Sequence, residues 1–212
     1  MREFEELVGS LEFEERGSLR LTSATWADPA CELLLDLCVN ESTSHQAWLV
    51  RCGAVRAYRL VSEWLDRAHL FGEHALLIPY TEPRVQLAFL RRPSNADAVV
   101  GQLWEAHRRL LGQWVPFDEY LNPGMSPSDL LASGGGCLAD GPRSLMQAYA
   151  GVLDLHGVEP SFLAERPAVR WLDEAWQPEL RDLQVFVMGE SYPIGTAFQA
   201  RKESPERLVA GA

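Results

Sequence analysis

Val85-Gln86-Leu87-Ala88-Phe89-Leu90-Arg91-Arg92-Pro93-Ser94-Asn95-Ala96-Asp97 is where the apolar rhythm of this chain turns over. Before the turn, Val85, Leu87 and Phe89 alternate with Gln86 and Ala88, the two-residue period of a half-buried strand. After it, Ser94-Asn95-Ala96-Asp97 resembles a capping box with Asp97 in place of the usual Glu. Apolar residues then recur every third or fourth position, as on a helix. Working outward, the two-residue rhythm holds from Leu11 to Arg91, the helical rhythm from Ser94 to about Trp176, and the two-residue rhythm returns from Gln184 to Arg201.

Upstream, Glu12 to Arg16 and Ser18 to Thr25 read as strands, with a turn at Trp26-Ala27-Asp28-Pro29. Cys31 to Val39 is apolar at nearly every position, which predicts a central strand covered on both faces. The polar loop Asn40 to Ser44 joins it to a partner strand, His45 to Cys52. This hairpin brings Cys31 and Cys52 together at its open end. Gly53 marks a bulge before a further strand, Val55 to Val61. Ser62 to Glu73 reads as a short helix or irregular connection, and Ala75 to Pro79 as a strand.

Downstream, the first helix runs to about Leu111 and stops near Gly112, with Val100, Leu103, Trp104, His107, Leu111 and Trp114 as its buried stripe. A second helix starts at Ser126-Pro127 and dies in Ser133-Gly134-Gly135-Gly136. A third starts at Gly141-Pro142, buries Leu145, Met146, Tyr149, Val152 and Leu153, and stops at Gly157. Pro160 to Glu165 and Pro167 to Trp176 read as short helical pieces. Val185 to Met188 and Ile194 to Ala200 form a closing hairpin around Gly189-Glu190-Ser191. The expected fold is α+β. A largely antiparallel sheet from the N-terminal half is extended by the C-terminal hairpin, and a helical layer over about 94–176 packs on one face. Residues 1–201 make one domain, 202–212 a frayed tail, and 121–126 and 134–141 are the seams.

The chain has 212 residues and a net charge of −11, with 47% hydrophobic residues. This composition suits a globular protein and argues against global disorder. Polyanions are repelled by such a charge. Arg91, Arg92, Arg108 and Arg109 are the local basic pairs, and nucleic-acid binding through them is the weakest functional reading. No stretch approaches the ~20 apolar residues of a membrane span, and the first residues lack the pattern of a secretory signal. A cytoplasmic location follows as an expectation, with the four cysteines as thiols.

Several residues invite a chemical role. Gly135, Gly136 and Gly141, with Arg143 at the following helix start, form an anion-binding candidate, since helix N-termini hold phosphate. Pro142-Arg143-Ser144 replaces the Lys-Ser/Thr of a true phosphate loop, so a plain connection is the competing reading. Cys137 lies in the same segment, where a helix start and Arg143 favour thiolate, making it the nucleophile candidate of a small hydrolase or transferase. His69 and His74 are five apart and share no helix face, and none of the cysteines forms a C-x-x-C pair, so neither a metal nor another cofactor is expected. His107 on an apolar stripe reads as a core histidine.

Glu12 and Glu14 sit in the densest acidic run, a docking face for a basic protein or a solvated strand face. Trp171 and Trp176 frame an amphipathic segment and are interface candidates, because tryptophan is enriched in binding hot spots. The expectation is therefore a non-catalytic interaction module. It would be an acidic accessory or immunity-type subunit, as in a bacterial system, whose partner is a basic protein. A homo-oligomer is compatible with it, and a membrane or nucleic-acid partner is not expected.

Overall fold

In the computed structural model the described residues are 1–27, 30–39, 45–61, 64–65, 67–172, 175–178, 182–206 and 208, with the side chains of 27, 39, 170–172, 175 and 176 excepted. The turn at Asp28-Pro29, the loop Asn40 to Ser44 and residues 207 and 209–212 of the tail lie outside them. By its contacts the chain divides into two compact units, Met1–His74 with Asp182–Ala212, and Ala75–Arg181. The seams expected at 121–126 and 134–141 both fall inside the second.

The first unit opens with two short helices, α1 (Arg2–Val8) and α2 (Leu11–Arg16). The strand expected over Glu12 to Arg16 is thus a helix. Ser10 caps it by accepting the Phe13 amide at 3.2 Å. Glutamate favours helix over strand, and Phe4 and Val8, four apart, share the face that docks.

A curled antiparallel sheet follows: β1 (Gly17–Ala27), β2 (Ala30–Val39), β3 (His45–Arg59), β4 (Trp64–Leu65) and β5 (His69–Phe71). Within Ser62 to Glu73, expected as a short helix or irregular connection, the described residues include two short strands, β4 pairing with β1 and β5 with the closing ribbon. The closing ribbon, β11 (Gln184–Val187) and β12 (Tyr192–Glu203), enters the same sheet. Among the described residues the strand order is β4-β1-β2-β3-β12-β11-β5. The last strand therefore lies against β3 in the middle of the sheet, as the returning two-residue rhythm implies. β2 is central and buried on both faces, as its continuous apolar run predicts.

On the inner face Leu19, Leu33, Leu35, Leu37, Trp48, Val50, Phe186 and Phe198 meet Phe4, Val8 and Phe13 from α1 and α2. The helices are the plug of this curl. Phe4 stands edge-on to Trp48 at 5.3 Å and to Phe186 at 5.8 Å. On the outer face Leu34, Ala47 and Leu49 form a small cluster on which Leu208 packs, so part of the expected tail is placed against the sheet.

β3 and β12 twist sharply where their register slips around Gly53 and Thr196. Ala54 and Ala197 take φ of 43° and 53° there, in the left-handed region. The bulge expected at Gly53 is present, and the strand runs on through it rather than restarting.

The second unit holds the second sheet. Ala75–Leu77 is a 3₁₀ turn and Ile78–Thr81 is α3, where a strand was expected; Pro79 in its first turn suits a helix start. β6 (Arg84–Leu90), the strand of the opening quotation, is the centre of a three-stranded sheet, β7-β6-β8, and not part of the first one. β7 (Gly135–Pro142) and β8 (Glu159–Arg166) are segments read from sequence as a glycine loop and a helical piece. Tertiary pairing overrides local preference here: both edges of β6 carry amides and carbonyls that need partners. β9 (Val169–Leu172) and β10 (Ala175–Pro178) likewise pair as a ribbon where helix was expected.

Helices α4 (Ala96–Leu111), α5 (Pro127–Ser133) and α6 (Arg143–Leu155) form the realised part of the helical layer. The core beneath α4 and α6 includes Val85, Leu87, Phe89, Leu103, Leu138, Leu145 and Tyr149, so the layer covers the sheet of β6. Asn95, not Ser94, caps α4, accepting the Ala98 amide at 3.1 Å. Val99, not Val100, is fully buried, and Trp104 is 49% exposed with its ring beneath the Arg108 guanidinium.

Candidate functional site

The glycine segment does not form a cradle. Gly135, Gly136 and Gly141 lie in β7 opposite Leu90, Phe89 and Val85. At Gly141 a Cβ would fall 2.9 Å from the Tyr120 ring, so this glycine serves close packing. The helix that follows does attract an anion, but one the chain supplies itself. Glu82 accepts the Ser144 amide at 2.8 Å at the start of α6. Arg143, the cation expected to help hold an anion, is ion-paired with Glu165. A shallow cavity of about 180 Å³ lies beside that pair, lined by Val85, Arg143, Phe162, Leu163, Ala164 and Glu165.

Nearby, Asp140 draws both Arg84, at 3.3 Å, and Arg166. One carboxylate between two guanidinium groups offsets half of their charge and ties β6, β7 and β8 together at that end of the sheet.

Cys137 is half-buried, and its Sγ donates to the Ala139 carbonyl at 3.8 Å, along its own strand. No imidazole is brought to it by any hydrogen bond of the described residues. His45 bonds Asp36 at 2.8 Å. His69 and His74 flank Phe71 at 5.8 and 5.2 Å. His107 is buried, with Nε2 at 2.8 Å from the Val115 carbonyl and Nδ1 at 3.0 Å from the Tyr149 hydroxyl. A carbonyl only accepts, so Nε2 carries the proton and Nδ1 accepts from Tyr149. Burial pushes His107 below its usual value, Arg108 adding to this against the Val115 carbonyl and Asp118, and burial pushes Tyr149 up. This neutral pair is a core fixture, as the apolar stripe implies. Among the described residues no group of three His, Cys, Asp or Glu could hold a metal ion.

Cys31 and Cys52 stand directly opposite each other on β2 and β3, as the hairpin reading places them. Both are buried, and burial raises their thiols to about 11 and about 12.

The acidic run is displayed at the surface. Glu3, Glu6, Glu12, Glu14 and Glu15 are all exposed on α1 and α2, and Leu11 among them is 76% exposed. Glu12 and Glu14 are on a helix and point in different directions, not along one strand face. Sequence reasoning found the charge but missed the shape; the signal was the Phe4–Val8 spacing before a serine cap.

Exposed aromatics add to this surface inventory. Trp26 packs on Tyr58 at 4.2 Å, and Arg20 lies over Trp64 at 5.7 Å. Trp171 and Trp176 pair across the β9–β10 ribbon, with side chains outside the described residues. Arg91, Arg92, Arg108 and Arg109 are exposed, and Arg91 is ion-paired with Glu159 at 2.7 Å. No helix of the described residues is long and apolar enough to cross a membrane. Comparison with protein families, with curated proteins and with solved structures finds no match to this chain.

Proposed function

We propose that this chain is a non-catalytic interaction subunit whose acidic α1–α2 surface docks a basic protein, in the manner of an accessory or immunity-type component. One observation carries the reading: Leu11 stands 76% exposed among Glu12, Glu14 and Glu15, on helices fixed from below by Phe4, Val8 and Phe13. A lone leucine in water is unremarkable, but an apolar contact on a helix rich in exposed acidic side chains combines short-range adhesion with electrostatic steering. The half-exposed Trp26–Tyr58 pair supplies a second contact of the type common in interfaces.

The test is affinity capture from the native host at low and moderate salt, beside a Leu11→Ser/Glu12→Lys/Glu14→Lys chain. A basic protein should be recovered in stoichiometric amount by the native chain and lost from the variant. Equal recovery by both, or no stoichiometric partner, contradicts the proposal. The alternative, a small enzyme using Cys137, is checked by thiol kinetics: a Cys137 no faster than a model thiol removes it.

A further inference from the structure

We propose that Cys31 and Cys52 are a paired dithiol that closes to a cross-strand disulfide when a low-molecular-weight disulfide is present as oxidant. The two residues are direct partners in the antiparallel register of β2 and β3. Opposed residues on such strands have Cα atoms ~4.5 or ~5.5 Å apart, depending on whether they exchange hydrogen bonds. Both values lie within the ~4.4–6.8 Å range of disulfides. Direct opposition also puts both side chains on one face, and both belong to the inner core under α1 and α2.

The other two thiols lack this relation. Cys38 is opposite Ser18 and His45, and Cys137 is opposite Ala88. The Cys52 Sγ at present donates to the Gly53 carbonyl at 3.7 Å and occupies space that Gly195 leaves open, since a Cβ there would meet it at 2.5 Å. It therefore leans toward β12, and a rotation about its Cα–Cβ bond brings it toward Cys31.

The chemistry balances with glutathione disulfide as the oxidant class. One cysteine loses its proton, attacks a sulfur of the small disulfide and releases one thiol. The second cysteine loses its proton, attacks the resulting mixed disulfide and releases the other. One S–S bond breaks and one forms, and two electrons and two protons end on the two small thiols. Burial of both sulfurs makes the exchange slow in the closed fold, so its rate follows the opening of the α1–α2 plug. The bond would fix the register of the sheet beneath the proposed docking helices, linking that surface to redox state.

A Cys38→Ser/Cys137→Ser chain leaves only the two thiols in question. It is incubated with oxidised glutathione, both folded and during refolding from urea, then denatured and labelled with maleimide. The expected result is loss of both labels, loss of two hydrogens in intact mass, a linked peptide joining Cys31 to Cys52, and a higher urea midpoint than the reduced chain. Peptide mapping of the native chain should give the same link. Two labelled thiols after both treatments, persistent glutathione adducts, or a linked chain without the sheet signal in circular dichroism would overturn the proposal.

Discussion

Replacing Phe4 by alanine removes a ring with no exposed surface that stands edge-on to Trp48 of β3 and Phe186 of β11. Those strands are separated in the sheet by β12, so one side chain ties α1 across three strands. Truncating a buried phenylalanine costs ~3–5 kcal/mol through lost transfer energy and the cavity left behind. The two edge-on ring contacts contribute ~0.5–1.5 kcal/mol each within that sum. Against a total stability of ~5–15 kcal/mol this is a large fraction. Urea unfolding, followed by tryptophan fluorescence and by circular dichroism, should show the midpoint falling accordingly. Glu3→Ala on the same helix, at an exposed position, should stay within ~0.5 kcal/mol of the native chain. A Phe4→Ala loss below ~1 kcal/mol, with an unchanged denaturant slope, would refute the view that α1 is a packed plug.

Three further outcomes follow from the same geometry. Ala54→Gly and Ala197→Gly relieve left-handed backbone at the β3–β12 bulge, and each should raise stability by ~0.5–1 kcal/mol in thermal unfolding. Glu82→Gln should cost ~1 kcal/mol by weakening the anionic partner of the Ser144 amide, and millimolar phosphate should leave the native melting temperature unchanged because Glu82 already fills that position. Burial holds His107 below the usual imidazole value of 6.5, so the unfolded chain binds more protons as the pH falls below it. The stability from holding it neutral is present in full above pH 6.5 and is lost as pH falls toward the folded value; His107→Gln should flatten this slope, which urea midpoints measured from pH 7.5 to 5 would reveal.

The legible parts of the fold were those where local pattern and tertiary demand agree. The apolar run Cys31 to Val39, the period change after Leu90, the cap before Asp129 and the returning ribbon all act through residues close in sequence. Several misread segments are those whose structure is set by a distant partner. Gly135 to Pro142 and Glu159 to Arg166 have weak strand preference and become strands because β6 offers two edges. Glu12 to Arg16 alternates like a strand only by accident of Leu11 and Phe13; the capped helix buries Phe13 and leaves Leu11 in water.

The same holds for the sites. The opposition of Cys31 and Cys52 was readable because one hairpin creates it. Glu82 as the anion at the start of α6 was not, since 62 residues separate it from Ser144.

Amide hydrogen exchange on the chain, alone and with the basic protein it captures, tests the docking proposal most directly. The account predicts slowed exchange concentrated in residues 2–16, with the α1–α2 amides most affected. Unchanged exchange there, with protection appearing instead along residues 135–143 or 159–166, would contradict it.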